Sequence, residues 1–119
     1  MTYYKNLKEL SDTTESKLEK FVCEYVLDYA DQNKENVKYF FNDLMQGGCS
    51  SGFIGDLIYY KDTHNFFDRF YDEIEELRKE YQQETGCELH PLGDLKNWFA
   101  WFSFEETAFR IAGKIGLEI

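Results

Sequence analysis

Apolar side chains return every three or four residues along most of this chain, and that spacing restricts the fold more than any other feature. Leu18, Phe21, Val22, Tyr25, Val26 and Tyr29 make one such stripe. Val37, Phe40, Phe41, Leu44 and Met45 make a second, and Phe66, Phe67, Phe70, Tyr71, Ile74, Leu77 and Tyr81 a third. A helix turning once per 3.6 residues gathers each set on one face, whereas a strand would scatter it over two. With 119 residues and one proline, at Pro91, the spacing predicts an all-α, compact single domain of four or five helices. Eleven Phe, nine Tyr and two Trp supply enough large rings for a real core at this length.

The helix ends follow from capping chemistry. Asp12 with Glu15 three residues on fits a capping box, so the first helix is expected to start near Asp12, leaving residues 1–11 loosely ordered. A second helix is expected from Lys34 to Gln46, with Gly47 as its cap. "FIGDLIYY" at 53–60 is too short for periodicity to separate a helix from an extended piece. A third helix is expected from Thr63 to Glu84, with Asp62 or Thr63 as cap and Gly86 as stop. The last covers Leu95 to Ile115. Leu95, Trp98, Phe99, Phe102 and Phe109 share one of its faces, with Trp98, Phe99 and Phe102 expected in the core. Trp101, Phe104, Ala108, Ala112 and Ile115 lie nearer the opposite face. A helix apolar all round is buried from two sides or broken midway, and Ser103 with Glu106 offers a second capping box at which to break it.

A formal charge of −10 on an aromatic-rich chain describes a packed domain with an acidic shell. It disfavours direct nucleic-acid binding, which needs Lys and Arg against phosphates, and it disfavours anionic membranes. A partner would be a basic protein. The odd count of cysteines, Cys23, Cys49 and Cys87, has no disulfide-framework spacing. With no basic-then-apolar leader at Met1 and no apolar run near 18 residues, the expected location is the reducing cytoplasm.

The stretch "GGCSSGFIG" at 47–55 comes near two catalytic patterns. Gly47 and Gly52 have the glycine spacing of a P-loop. Phe53 and Ile54 stand where that loop needs Lys and then Ser or Thr, and a helix precedes it where a strand is required. Gly48 to Gly52 also fits G-x-S-x-G, with Ser50, an acid such as Asp62 or Asp68, and His90 in the chain order of a hydrolase triad. No strand or βαβ unit is present to build the elbow, so a small hydrolase using Ser50 or Cys49 is the alternative rather than the leading reading. A corner between helices accounts for the same residues through a left-handed glycine cap and a serine N-cap. Cys49, His64, Cys87 and His90 carry zinc-ligating atoms, but only Cys87 and His90 are close in sequence, and zinc sites usually show two tight pairs. No metal or cofactor is expected.

Asp68, Asp72, Glu76 and Glu80 fall at successive i, i+4 positions of the third helix. Like charges so spaced cost about 0.2–0.5 kcal/mol per pair. Arg69, Arg78 and Lys79 are placed to offset part of that. The row is the candidate interaction face, a loose imitation of a phosphate row or simply a solvated side. Exposed aromatics pairing two copies would instead make the chain a structural or oligomerising module.

"GGCSSGFIGDLIYYKDTHNFF" at 47–67 and "NWFAWFSFEETAFRIAGKIGLE" at 97–118 carry a resemblance covering about residues 44–118. It is to an uncharacterised family of small acidic proteins encoded on phages, plasmids and conjugative elements of gut and Gram-positive bacteria. The resemblance implies a genomic setting and no catalytic residue. Small acidic proteins of that setting are often inhibitors of host defence, including antirestriction and anti-CRISPR proteins. By that analogy the expected function is a non-enzymatic protein-binding module that counters a nucleic-acid-binding host factor.

Overall fold

The computed structural model describes residues 2–47, 69–86 and 94–117, without the side chains of 2, 43, 45–47 and 94–101. Those residues form five α-helices and no strand: α1 (Thr2–Thr13), α2 (Lys17–Asp31), α3 (Val37–Gly47), α4 (Tyr71–Thr85) and α5 (Asp94–Lys114). The all-α class read from the spacing is the observed one. Two compact units divide the chain, Met1–Cys49 with Glu105–Ile119, and Ser50–Phe104.

In the first unit α1 packs on α2 and touches α3, and α2 packs on α3. The α2 stripe is buried as its spacing predicts, from Leu18 through Val26, with Tyr29 half-buried; Cys23 and Ala30 join it. On α3, Val37, Phe40, Phe41 and Leu44 are buried. The ring of Phe40 meets Tyr25, Tyr29 and Phe41 edge-on, at centroid distances of 6.0, 5.4 and 5.2 Å. That geometry sets positive ring edges against negative faces and adds to what burial alone contributes.

The first capping box lies four residues beyond its expected place. Asp12 belongs to the last turn of α1, and residues 1–11, expected to be loosely ordered, are helical from Thr2 with Leu7 fully buried. Ser16 is the working N-cap: its side chain accepts a hydrogen bond from the Glu19 backbone N–H at 3.0 Å. The Glu19 carboxylate does not close the box by reaching back to the Ser16 N–H. It accepts from Thr14 Oγ1 at 2.6 Å and from Lys114 Nζ at 2.5 Å, while Thr14 Oγ1 takes the Ser16 N–H at 3.2 Å.

The α3 start is also corrected. Lys34 and Glu35 carry positive φ, 59° and 60°, so neither can lie inside the helix expected from Lys34. They turn the chain after α2, where Glu35 N–H bonds back to Ala30 O at 2.7 Å, and Asn36 caps α3 by accepting from Tyr39 N–H at 3.2 Å.

α5 is not broken at Ser103, which is fully buried inside a continuous helix. Phe104, Ala108, Ile111, Ala112 and Ile115 form its buried face. Phe102 and Phe109, on the opposite side, are half-buried, so Phe102 is not the core residue its spacing suggested. Trp98 and Phe99 lie outside the described side chains. α5 ends on Gly116 at φ 85°, and Leu117 N–H closes the cap on Ala112 O at 2.9 Å.

In the second unit α4 begins at Tyr71, later than the expected Thr63. Phe70, at φ −112° and ψ 28°, stands outside helical geometry and sets the boundary. Phe70, Ile74 and Leu77 are buried and Tyr81 is half-buried, edge-on to Phe102 at 5.4 Å. Tyr71, assigned by spacing to that stripe, is 47% exposed and donates to Glu75. Gly86 stops α4 as expected, at φ 74°. The glycine stretch after Gly47 and the segment "FIGDLIYY" lie outside the described residues, as do Phe66 and Phe67.

Two substitutions probe this frame. Phe40→Ala removes the ring shared by three aromatic neighbours and should cost about 3–5 kcal/mol of unfolding free energy in urea titration. Lys114→Ala takes one charged donor from the buried Glu19 carboxylate, leaving Thr14 Oγ1 on its other oxygen, and should cost about 1–3 kcal/mol. A parent-like midpoint in either variant would remove that contact from the frame.

Candidate functional site

α4 carries six carboxylates, at Asp72, Glu73, Glu75, Glu76, Glu80 and Glu84, against two cations, Arg78 and Lys79. Its apolar stripe turns Ile74 and Leu77 inward, which leaves Asp72, Glu76 and Glu80 exposed along the other side. Three of the four residues of the expected row are thus placed together on one helix. Asp68 lies outside the described residues, ahead of the Phe70 break.

Two of the cations expected to temper the row meet groups outside it. Arg78 pairs with Glu75 at 2.6 Å and donates to Gln82 at 3.2 Å. The Arg69 guanidinium lies over the Phe70 ring at 5.2 Å. Lys79 is exposed on the side of the row. Asp72 and Glu73 fall in the first turn, where the helix dipole favours negative charge, and no basic residue occupies the last turn.

Cys49, Ser50, Asp62, His64, Cys87 and His90 lie outside the described residues. Cys23 is fully buried, and burial, reinforced by the nearby Glu19 carboxylate, pushes its thiol up to about 12, the reverse of what a nucleophile needs. Among the described residues no cluster of His, Cys, Asp and Glu could hold a metal ion, and no helix is long and apolar enough to cross a membrane. Among the described residues the exposed large rings, Tyr3, Tyr39 and Tyr71, stand on three different helices.

Two carboxylates escaped the sequence reading. Glu19 is buried between Thr14 and Lys114, and its signal was legible: Ser16-x-x-Glu19 is itself a capping-box pattern, in competition with Asp12-x-x-Glu15. Glu105 is held above the usual carboxylate range by partial burial and then by the charge of Glu106 beside it. Nothing in its sequence context marks it.

A carboxyl whose folded pKa is raised favours the folded state fully below its unfolded value and loses that contribution as pH rises through the folded one. Glu105→Gln should therefore be more stable than the parent at pH 7. The difference should vanish below about pH 4, where Glu105 is protonated in both states. Thermal melts at the two pH values check this, and equal melting at pH 7 would contradict it.

No curated protein and no solved structure matches the chain. A family model described as a domain of unknown function, DUF7222, matches residues 15–117, reaching further towards the N-terminus than the two quoted blocks and taking in α2 to α5. By that match over most of its length, the chain belongs to the DUF7222 family.

Proposed function

We propose that the chain is a non-enzymatic, acidic protein-binding module of a mobile genetic element, whose α4 face engages a basic surface on a host nucleic-acid-binding protein. The observation that carries this reading is the exposure of Asp72, Glu76 and Glu80 along one side of α4. Carboxylates one helical turn apart recur about every 5.4 Å, and several on one face superpose their fields. A basic protein that tracks phosphates would meet a comparable spacing of charge. The net charge of −10 adds long-range attraction for the same class of partner and repels nucleic acid itself. The genomic setting rests on the resemblance of residues 44–118 described above.

The test is a titration against the partner recovered with the parent chain as bait. Parent affinity should fall steeply between 0.1 M and 1 M salt, as the screening length drops from about 10 Å to about 3 Å. Asp72→Lys with Glu76→Lys should weaken binding about tenfold or more at low salt and flatten the salt dependence. The doubly reversed protein should melt with the parent, because both side chains are exposed and their like-charge contact is relieved. Ser50→Ala and Cys49→Ala should leave binding and phenotype intact. Unchanged affinity in the charge-reversed protein returns α4 to a solubilising role, and loss of phenotype in a folded Ser50→Ala protein revives the hydrolase.

A further inference from the structure

The family match begins at residue 15, one residue before the Ser16 cap, so α1 lies outside the family domain. α1 is nonetheless seated in the first unit. Its sequence, TYYKNLKELSDT, is mostly polar, and among its described side chains only Leu7 and Ser11 are buried. Among the described side chains, four points of its seat stand out. Leu7 is fully enclosed, and Asn6 Nδ2 donates to Ile115 O at 3.1 Å. Tyr4 Oη donates to Asp31 Oδ1 at 2.5 Å, and Lys20 Nζ donates to Ser11 O at 3.3 Å. Those partners lie at the two ends of α2 and just past the end of α5.

Several contacts that hold the rest of the unit lie outside α1. The start of α2 is fixed by Ser16, Thr14, Glu19 and Lys114, all beyond Thr13. The rings packed around Phe40 belong to α2 and α3. A helix of twelve residues is marginal by itself in water, so α1 off its seat would lose its helix as well. α2 would keep both its cap and its ion pair.

We propose that α1 is a detachable strap, which leaves α2, α3 and the end of α5 as one piece while those helices stay folded, and so uncovers the surface under Leu7. Local opening of this kind draws on segments with few buried apolar contacts, and α1 has one fully enclosed apolar side chain. The strap uses no residue of α4, so it can hold where the proposed binding function fails.

Amide hydrogen exchange on the full chain tests it, read on peptides from α1, α2 and α3. In the parent, α1 amides should exchange about tenfold or more faster than those of Phe21–Ala30. In full-length Leu7→Asp, α1 protection should be lost while α2 and α3 keep parent rates within about twofold. Asn6→Ala, a milder change, should raise α1 exchange alone. Equal exchange in all three helices of the parent overturns the strap. So does loss of α2 and α3 protection in Leu7→Asp, including a variant that does not fold, because either would make α1 part of one cooperative unit.

Discussion

A carboxylate at 7% exposure has to be met by donors, and the way Glu19 is met organises the first unit. Its backbone N–H fills the Ser16 cap, and its side chain takes Thr14 on one oxygen and Lys114 on the other. One residue thus fixes where α2 starts, how the chain enters it, and where the end of α5 lies, across 95 positions of sequence. Lys114 is 54% exposed on its side chain, so the pair is desolvated mainly on the acid side. Such a pair gains little over an apolar substitute but is costly to break, which makes it a device for register more than for stability.

Most of the α2 and α3 cores was legible because helical spacing and aromatic size pointed the same way. Leu18, Phe21, Val22 and Tyr25 needed no knowledge of their neighbours to be placed inside, and neither did Phe40 and Phe41. The misses share a physical cause: local chemistry offered two answers and a tertiary contact chose between them. Asp12-x-x-Glu15 and Ser16-x-x-Glu19 are equivalent as patterns; Thr14 and Lys114, which meet the Glu19 carboxylate, decide for the second. Ser103 could cap or continue a helix, and its full burial within α5 is the continuing solution. Lys34 and Glu35 are both good helix formers, yet the turn back onto Ala30 puts both at positive φ, at a cost of about 1–3 kcal/mol each that the flanking helices must outweigh.

The candidate face was legible in part for a related reason. Charge periodicity located Asp72, Glu76 and Glu80, but not the break at Phe70, since a phenylalanine in a helical stripe carries no signal that its backbone departs from the helix. That break also removes Tyr71 from the stripe to which spacing assigned it. Which cations would temper the row was not legible either. Arg78 is three residues from Glu75 and four from Gln82, and it reaches both. Sequence distance permits those contacts without selecting them, and side-chain geometry shows that both form.

The amount of negative charge on α4 says less than where it sits. Solubility needs net charge anywhere on the surface, and a chain at −10 has it many times over. A helix selected only for solubility has no reason to stack carboxylates at i, i+4, where each pair is unfavourable. Asp72 and Glu73 gain from the helix dipole, but Glu80 and Glu84 lie towards the wrong end for it. The row therefore costs the helix a small amount that scattering the same charges would avoid. A concentrated field is what that arrangement provides and scattering does not. A field of that kind matters to a partner that approaches through solvent, which is why the proposed binding reading is placed on this side of α4 rather than on the chain's acidity as a whole.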